Sequence, residues 1–137
     1  MRQRITQLAS LAVILSAGLV AAADDTRTNA KRWGVAICDA AGFTGGLIVH
    51  VGCGDGTLTA ALRTGDGFLV HGLDTSTANV EAARAHIRKR GLYGPVSVDT
   101  FDGQTLPYSN NLVNLLVADS LGDVSMEEAM RVLTPLG

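Results

Sequence analysis

The stretch "LIVHVGCGDGTLTAAL", Leu47 to Leu62, decides the fold. Its first residues, "LIVHV", form a short run rich in branched apolar side chains, the pattern of a strand buried on both faces. Three glycines follow at once, at Gly52, Gly54 and Gly56, and "TLTAALRTG" then reads as a short helix closed by Gly65. Glycine suits a strand-to-helix turn because it accepts positive φ and lets a ligand approach the backbone. The amides that open the next helix attract a carboxylate or phosphate. G-x-G-x-G alone is a weak signal, and its place between a strand and a helix makes it a stronger one.

Downstream, the same alternation repeats. "FLVHGLD" (68–74) reads as a second strand and Thr75 to Arg90 as a helix capped by Ser76 or Thr77. "VSVDTF" reads as a third strand, "DGQTLPYSN" as a loop, "LVNLLVAD" as a fourth strand, and Met126 to Leu133 as a helix. Ser125 and Glu128 in front of that helix have capping-box spacing. Upstream, Asp24 to Asn29 is polar and reads as loose. Residues from about Ala30 to Ala41 form a helix with Trp33, Ala36, Ile37 and Ala40 on one face. Strands joined by helices imply a parallel, doubly wound α/β sheet of Rossmann-like type. Only four strands are present, and "EEAMRVLTPLG" stops where another core strand is expected. The domain at 24–137 therefore reads as C-terminally incomplete, with further domains after residue 137 expected.

Asp74 ends the second strand, about 20 residues beyond the glycine loop, where dinucleotide folds place an acid on the ribose hydroxyls. A carboxylate is suited to this because it only accepts hydrogen bonds and can take two hydroxyls. A nicotinamide-dependent oxidoreductase wants G-x-G-x-x-G, which puts its third small residue where Thr57 stands, so the spacing counts against NAD(P).

With these blocks in this order, the chain from about Arg32 to Gly137 resembles the class I S-adenosylmethionine-dependent methyltransferases, of the methyltransferase type 11-like kind. The resemblance implies contact of Gly52, Cys53 and Gly54 with the methionine part and sugar of the cofactor. It implies Asp74 on the ribose, Thr75 beside the adenine, and Asp102 with Gly103, in "FDGQTLPY", at the adenine amino group. Asp119, ending "LLVAD", would border the methionine portion and the methyl acceptor. "EEAMRVLTPLG" resembles the family's "E-x-x-R-V-L-x-P-G-G", with Leu136 in place of a turn glycine. The family usually carries an acid two residues before the first glycine, for the cofactor's ammonium group. His50 stands there instead, able to accept one hydrogen bond but without the charge. No catalytic side chain is indicated, and the methyl acceptor is unknown. Two alternatives stand beside methyl transfer: a degenerate, non-catalytic module of a larger exported protein, and an NAD(P)-dependent oxidoreductase.

Export is suggested by the first residues. Arg2 and Arg4 precede the apolar run Leu8 to Val20, and Ala21-Ala22-Ala23 ends in a signal-peptidase pattern. The run is shorter than the ~20 residues of a membrane span, so a cleaved signal at 1–23 is expected, with a cytoplasm-facing anchor as the alternative. Cleavage would remove two positive charges from a chain of formal net charge −2, leaving no basic field for nucleic acid. "RKR" at 88–90 suits the negative end of a helix. Cys38 and Cys53 read as buried free thiols, too few for a metal site. His71 reads as a packed or hydrogen-bonded imidazole, and His86 as solvent-facing. Tyr108 could cover the adenine edge or anchor its loop.

Overall fold

A computed structural model describes residues 23–135 of the chain, so the signal-peptide expectation and Leu136 lie outside the described residues. The elements are α1 (Ala23–Ala41), β1 (Gly46–Val51), α2 (Thr57–Ala61), β2 (Phe68–Asp74), α3 (Thr77–Lys89), β3 (Val96–Thr100), β4 (Leu115–Ala118) and α4 (Met126–Val132). The strands form one parallel sheet in the order β3-β2-β1-β4. The chain thus winds outward from β1 in one direction and crosses back to place β4 on its other side, as the doubly wound expectation requires.

Alternation along the strands divides the core into two layers. Ile48, Val70, Val98 and Val117 meet α1, α2 and α3 through Ile37, Ala60, Leu62, Val80, Ala83 and Ile87. Val49, Leu73 and Leu116 meet α4 and the β3–β4 loop on the opposite face, through Leu106, Val113, Ala129 and Val132. Helices therefore cover both faces of a sheet whose inner strands are mostly apolar.

Three expectations are corrected here. Helix α1 begins at Ala23, so the polar stretch Asp24 to Asn29 is helical. It contains no glycine or proline to stop a helix that packing anchors further along. The buried face of α1 is also not the expected one. Ala30, Gly34, Ile37 and Cys38 are buried, whereas Trp33, Ala36 and Ala40 are exposed. Gly34 explains this, because a Cβ on it would lie 2.3 Å from the Ala61 carbonyl oxygen. The helix docks through its smallest residue, and that rotation turns the large indole outward. Finally, β4 is shorter than expected. Leu112 is exposed, and Val113 instead pairs in parallel with Leu133 just beyond α4.

Gly72 sets the depth of the packing beneath the loop. A Cβ there would stand 2.7 Å from Val98 Cγ1, 2.9 Å from Cys53 Cβ and 3.1 Å from Thr59 Cγ2. The bare backbone lets α2 and its preceding loop settle directly onto the sheet.

Candidate functional site

Strand register assembles the site. Val51 pairs with Leu73 of β2 and with Ala118 of β4, and Asp74 pairs with Thr100 of β3. One step further along, Gly52, Asp74 and Asp119 therefore stand level on the carboxyl edge of the sheet. Asp102 follows two residues after Thr100. This is the edge at which open α/β sheets take ligands.

The loop is built from its own amides. The Gly52 and Cys53 N–H groups both donate to the Leu73 carbonyl, at 2.7 and 3.0 Å, which bends the chain off β1. Gly52, Gly54 and Gly56 all have positive φ, at 78°, 57° and 81°. Gly54 N–H then donates to Asp74 Oδ2 at 3.0 Å. The carboxylate also accepts from Ser76 N–H at 2.9 Å and from Asn79 Nδ2 at 3.3 Å. Asp74 is thus buried, fully oriented and joined to the glycine loop. Sequence reasoning missed Asn79, although its spacing three residues after the cap Ser76, whose hydroxyl accepts from Asn79 N–H, was available.

Thr75 and Gly103 are brought together, since a Cβ on Gly103 would lie 3.0 Å from Thr75 Cγ2. Asp102 Oδ1 accepts from Gln104 N–H and Thr105 N–H, both at 2.8 Å, and these bonds hold its carboxyl below the usual range. Its second oxygen has no partner among the described residues. Asp119 is exposed at the end of β4. Cys53 is buried and unbridged, its thiol pushed up to about 11, first by burial and then by the charge of Asp74. It contributes backbone, not a reactive thiolate.

His50 departs from the others. It lies two register steps below the row, 4% exposed, with Nδ1 2.7 Å from Thr59 Oγ1 beneath α2. Where a partner at the cofactor edge was expected, Thr59, seated over Gly72, holds the ring in the core. Burial pushes its pKa from 6.5 to about 4, against a smaller opposing pull from Asp74. The unfolded chain therefore binds a proton on this ring between pH 6.5 and 4 that the folded chain refuses. The associated stability is complete above pH 6.5 and is lost as pH falls through that window, by about 3 kcal/mol. Urea titrations of wild type and His50→Gln across this range should differ in slope, and parallel profiles would refute the assignment.

Two further side chains, Glu128 and Arg131, hold the loop that carries Asp102. Glu128 Oε2 accepts from Leu106 N–H at 2.7 Å, and Arg131 donates to Leu106 O, Tyr108 O and Asn110 Oδ1 at 2.8–3.0 Å. The Arg131 guanidinium also pairs with Glu128 and holds its carboxyl down at about 2. The capping box is accordingly half formed. Ser125 Oγ accepts from Glu128 N–H at 3.0 Å, while the Glu128 side chain is spent on the loop and Arg131. Tyr108 turns its hydroxyl to His71, so it anchors the loop.

A cleft of about 660 Å³ lies elsewhere, between α1, α2 and the end of α3. Its charged lining is basic, from Lys31, Arg63, Lys89 and Arg90, and His86 lines it half-buried, not solvent-facing as expected. A cationic wall is a poor match for a ligand bearing a sulfonium and an ammonium group. The carboxyl edge, with three carboxylates, is the better match.

The fold and this edge define a class I, S-adenosylmethionine-dependent methyltransferase-type domain. Residues 48–137 match the family model described as "Methyltransferase domain", and the chain belongs to that family. It is 35% identical over 99 residues to the methyltransferase GfsG of Streptomyces halstedii, covering 68% of this chain and 36% of that protein. The structure of a Methanococcus maripaludis protein assigned to the S-adenosylmethionine-dependent methyltransferases shares the fold at TM-score 0.67 and 21% identity. That match covers 88% of this chain and 63% of the other. The [4+2]-cyclase SpnF is similar at TM-score 0.65 and 27% identity, over 77% of this chain and 41% of its own. The chain thus spans about a third of the curated relative and under two thirds of these structures.

Proposed function

We propose that the chain carries the cofactor half of an S-adenosylmethionine-dependent methyltransferase acting on a still unknown acceptor. The observation that carries this reading is the level row Gly52, Asp74 and Asp119, with Gly54 N–H joined to Asp74 at 3.0 Å. The residues fit the cofactor. A Cβ on Gly52 or Gly54 would meet nothing within 4 Å, so the backbone faces open space where the sugar and methionine part would lie. Asp74 would take the ribose hydroxyls, Thr75 and Gly103 would flank the adenine, and the second oxygen of Asp102 would accept from its amino group. Asp119 would supply negative charge beside the methionine portion, and His50 would add none.

When bound, the cofactor supplies an electrophilic methyl group to an acceptor nucleophile held in line. The chain's own contribution is orientation and exclusion of water. GfsG is named a methyltransferase, which supports the activity. SpnF, a cyclase of similar fold, is the reason to test it directly. Calorimetric titration of the full chain with S-adenosylhomocysteine is expected to give saturable binding at one site. Absence of heat from a correctly folded chain would overturn the reading. We further propose export, supported by Arg2, Arg4, the apolar run and the Ala21–Ala23 pattern. Amino-terminal sequencing tests it, with a chain starting at Asp24 in favour and a retained Met1 against.

A further inference from the structure

The segment from Phe101 to Leu112 carries Asp102 and Gly103 and contains no helix, yet Tyr108 fastens it at two atoms. Its carbonyl oxygen accepts from Arg131 at 2.9 Å, and its hydroxyl lies 2.5 Å from His71 Nδ1. On the other side of the imidazole, His71 Nε2 lies 2.8 Å from Asp99 Oδ2, and Asp99 Oδ1 accepts from Arg84 at 2.8 Å. Arg84 is fixed in turn by Glu81 and by the Val98 carbonyl.

With a neutral imidazole these contacts have one consistent polarity. The hydrogen bond from His71, and the pairing with Arg84, hold the Asp99 carboxyl below its usual range, so it only accepts. His71 Nε2–H therefore donates to it, which leaves Nδ1 of the neutral ring to accept from the Tyr108 hydroxyl. A chain of hydrogen bonds thus runs from Arg84 on α3 and Asp99 on the edge strand through one ring to the loop. The ring sits on the sheet face opposite α3, three residues before Asp74 on the same strand.

We propose that His71 and Tyr108 are a positioning pair that sets where Asp102 and Gly103 meet the adenine of the cofactor, an inference that rests on the cofactor reading above. Neither residue touches the reacting atoms. Fixing Tyr108 to β2 references the adenine end of the pocket to the strand that ends in Asp74, so base and ribose are held to a common frame.

The test uses two ligands that differ at the base, S-adenosylhomocysteine and S-inosylhomocysteine. The second presents an oxygen where Asp102 expects an amino group. Wild type should prefer the adenine form. Tyr108→Phe, which deletes one hydroxyl, should weaken that form roughly fivefold to tenfold. It should narrow the preference between the two by a similar factor, and His71→Ala should do the same. His71→Gln offers an amide oxygen to Tyr108 and an amide nitrogen to Asp99, so it should restore most of the preference and reports even where His71→Ala fails to fold. Variants that lower the melting temperature but leave the preference intact make the pair merely structural and overturn the inference alone. A wild-type chain that binds neither ligand overturns the cofactor reading and the inference with it.

Discussion

Asp74→Asn is expected to lower affinity for S-adenosylhomocysteine by about 100-fold, with the fold retained. Charge-assisted hydrogen bonds contribute roughly 1.5–3 kcal/mol each. Loss of the carboxylate's charge toward two ribose hydroxyls should remove about 3 kcal/mol, or a little over two decades in Kd. The amide has one acceptor oxygen where the carboxylate has two, and Asp74 already accepts from Gly54, Ser76 and Asn79. One backbone N–H would face the new amide nitrogen, at a cost of about 1–2 kcal/mol. That is small beside the 5–15 kcal/mol typical of a domain, so binding and stability separate. Calorimetry and urea denaturation on the same preparation read both. An affinity within threefold of wild type would remove Asp74 from the site.

The second large effect separates two glycines that stand two residues apart. Gly56→Ala is expected to destabilise the chain by about 2–5 kcal/mol. At φ 81° an L-residue is strained by about 1–2 kcal/mol. Its Cβ would also stand 2.9 Å from Ala83 Cβ and 3.1 Å from Ala83 Cα, where α2 meets the fully buried side of α3. Overpacking there adds about 1–3 kcal/mol. Gly54→Ala carries the same kind of backbone strain, at φ 57°, but its Cβ meets nothing within 4 Å. It should therefore lose only about 1–2 kcal/mol of stability and show its main effect on ligand affinity, because the new methyl group enters the space proposed for the cofactor. Equal stability losses at the two positions would contradict this division of the loop into a packed end and an open end.

Much of this arrangement was legible in the sequence, for identifiable reasons. β2 runs from Phe68 to Asp74 as expected, because glycines precede it and a helix cap at Ser76 follows it. The loop and Asp74 were readable because strand, turn and acid follow one another at short spacing, and parallel register then brings them level. The buried face of α1 was not readable, since hydrophobicity favours Trp33 while the real contact is decided by the Ala61 carbonyl facing Gly34. The burial of His50 depends on Thr59, which reaches it only because Gly72 lacks a side chain. Both are tertiary facts with no local signature. The roles of Asn79, Glu128 and Arg131 were hidden differently: local spacing shows the helix caps, but each side chain's most informative partner lies on another element.

The grip of Arg131 and Glu128 on Leu106 and Tyr108 has a consequence for how defects in this protein would present. A random-mutagenesis screen scored on nucleoside uptake should return hits in α4, a helix none of whose side chains belongs to the proposed pocket. Such lesions would mimic damage at Asp102 itself, and a map drawn from phenotype alone would draw the recognition surface too wide.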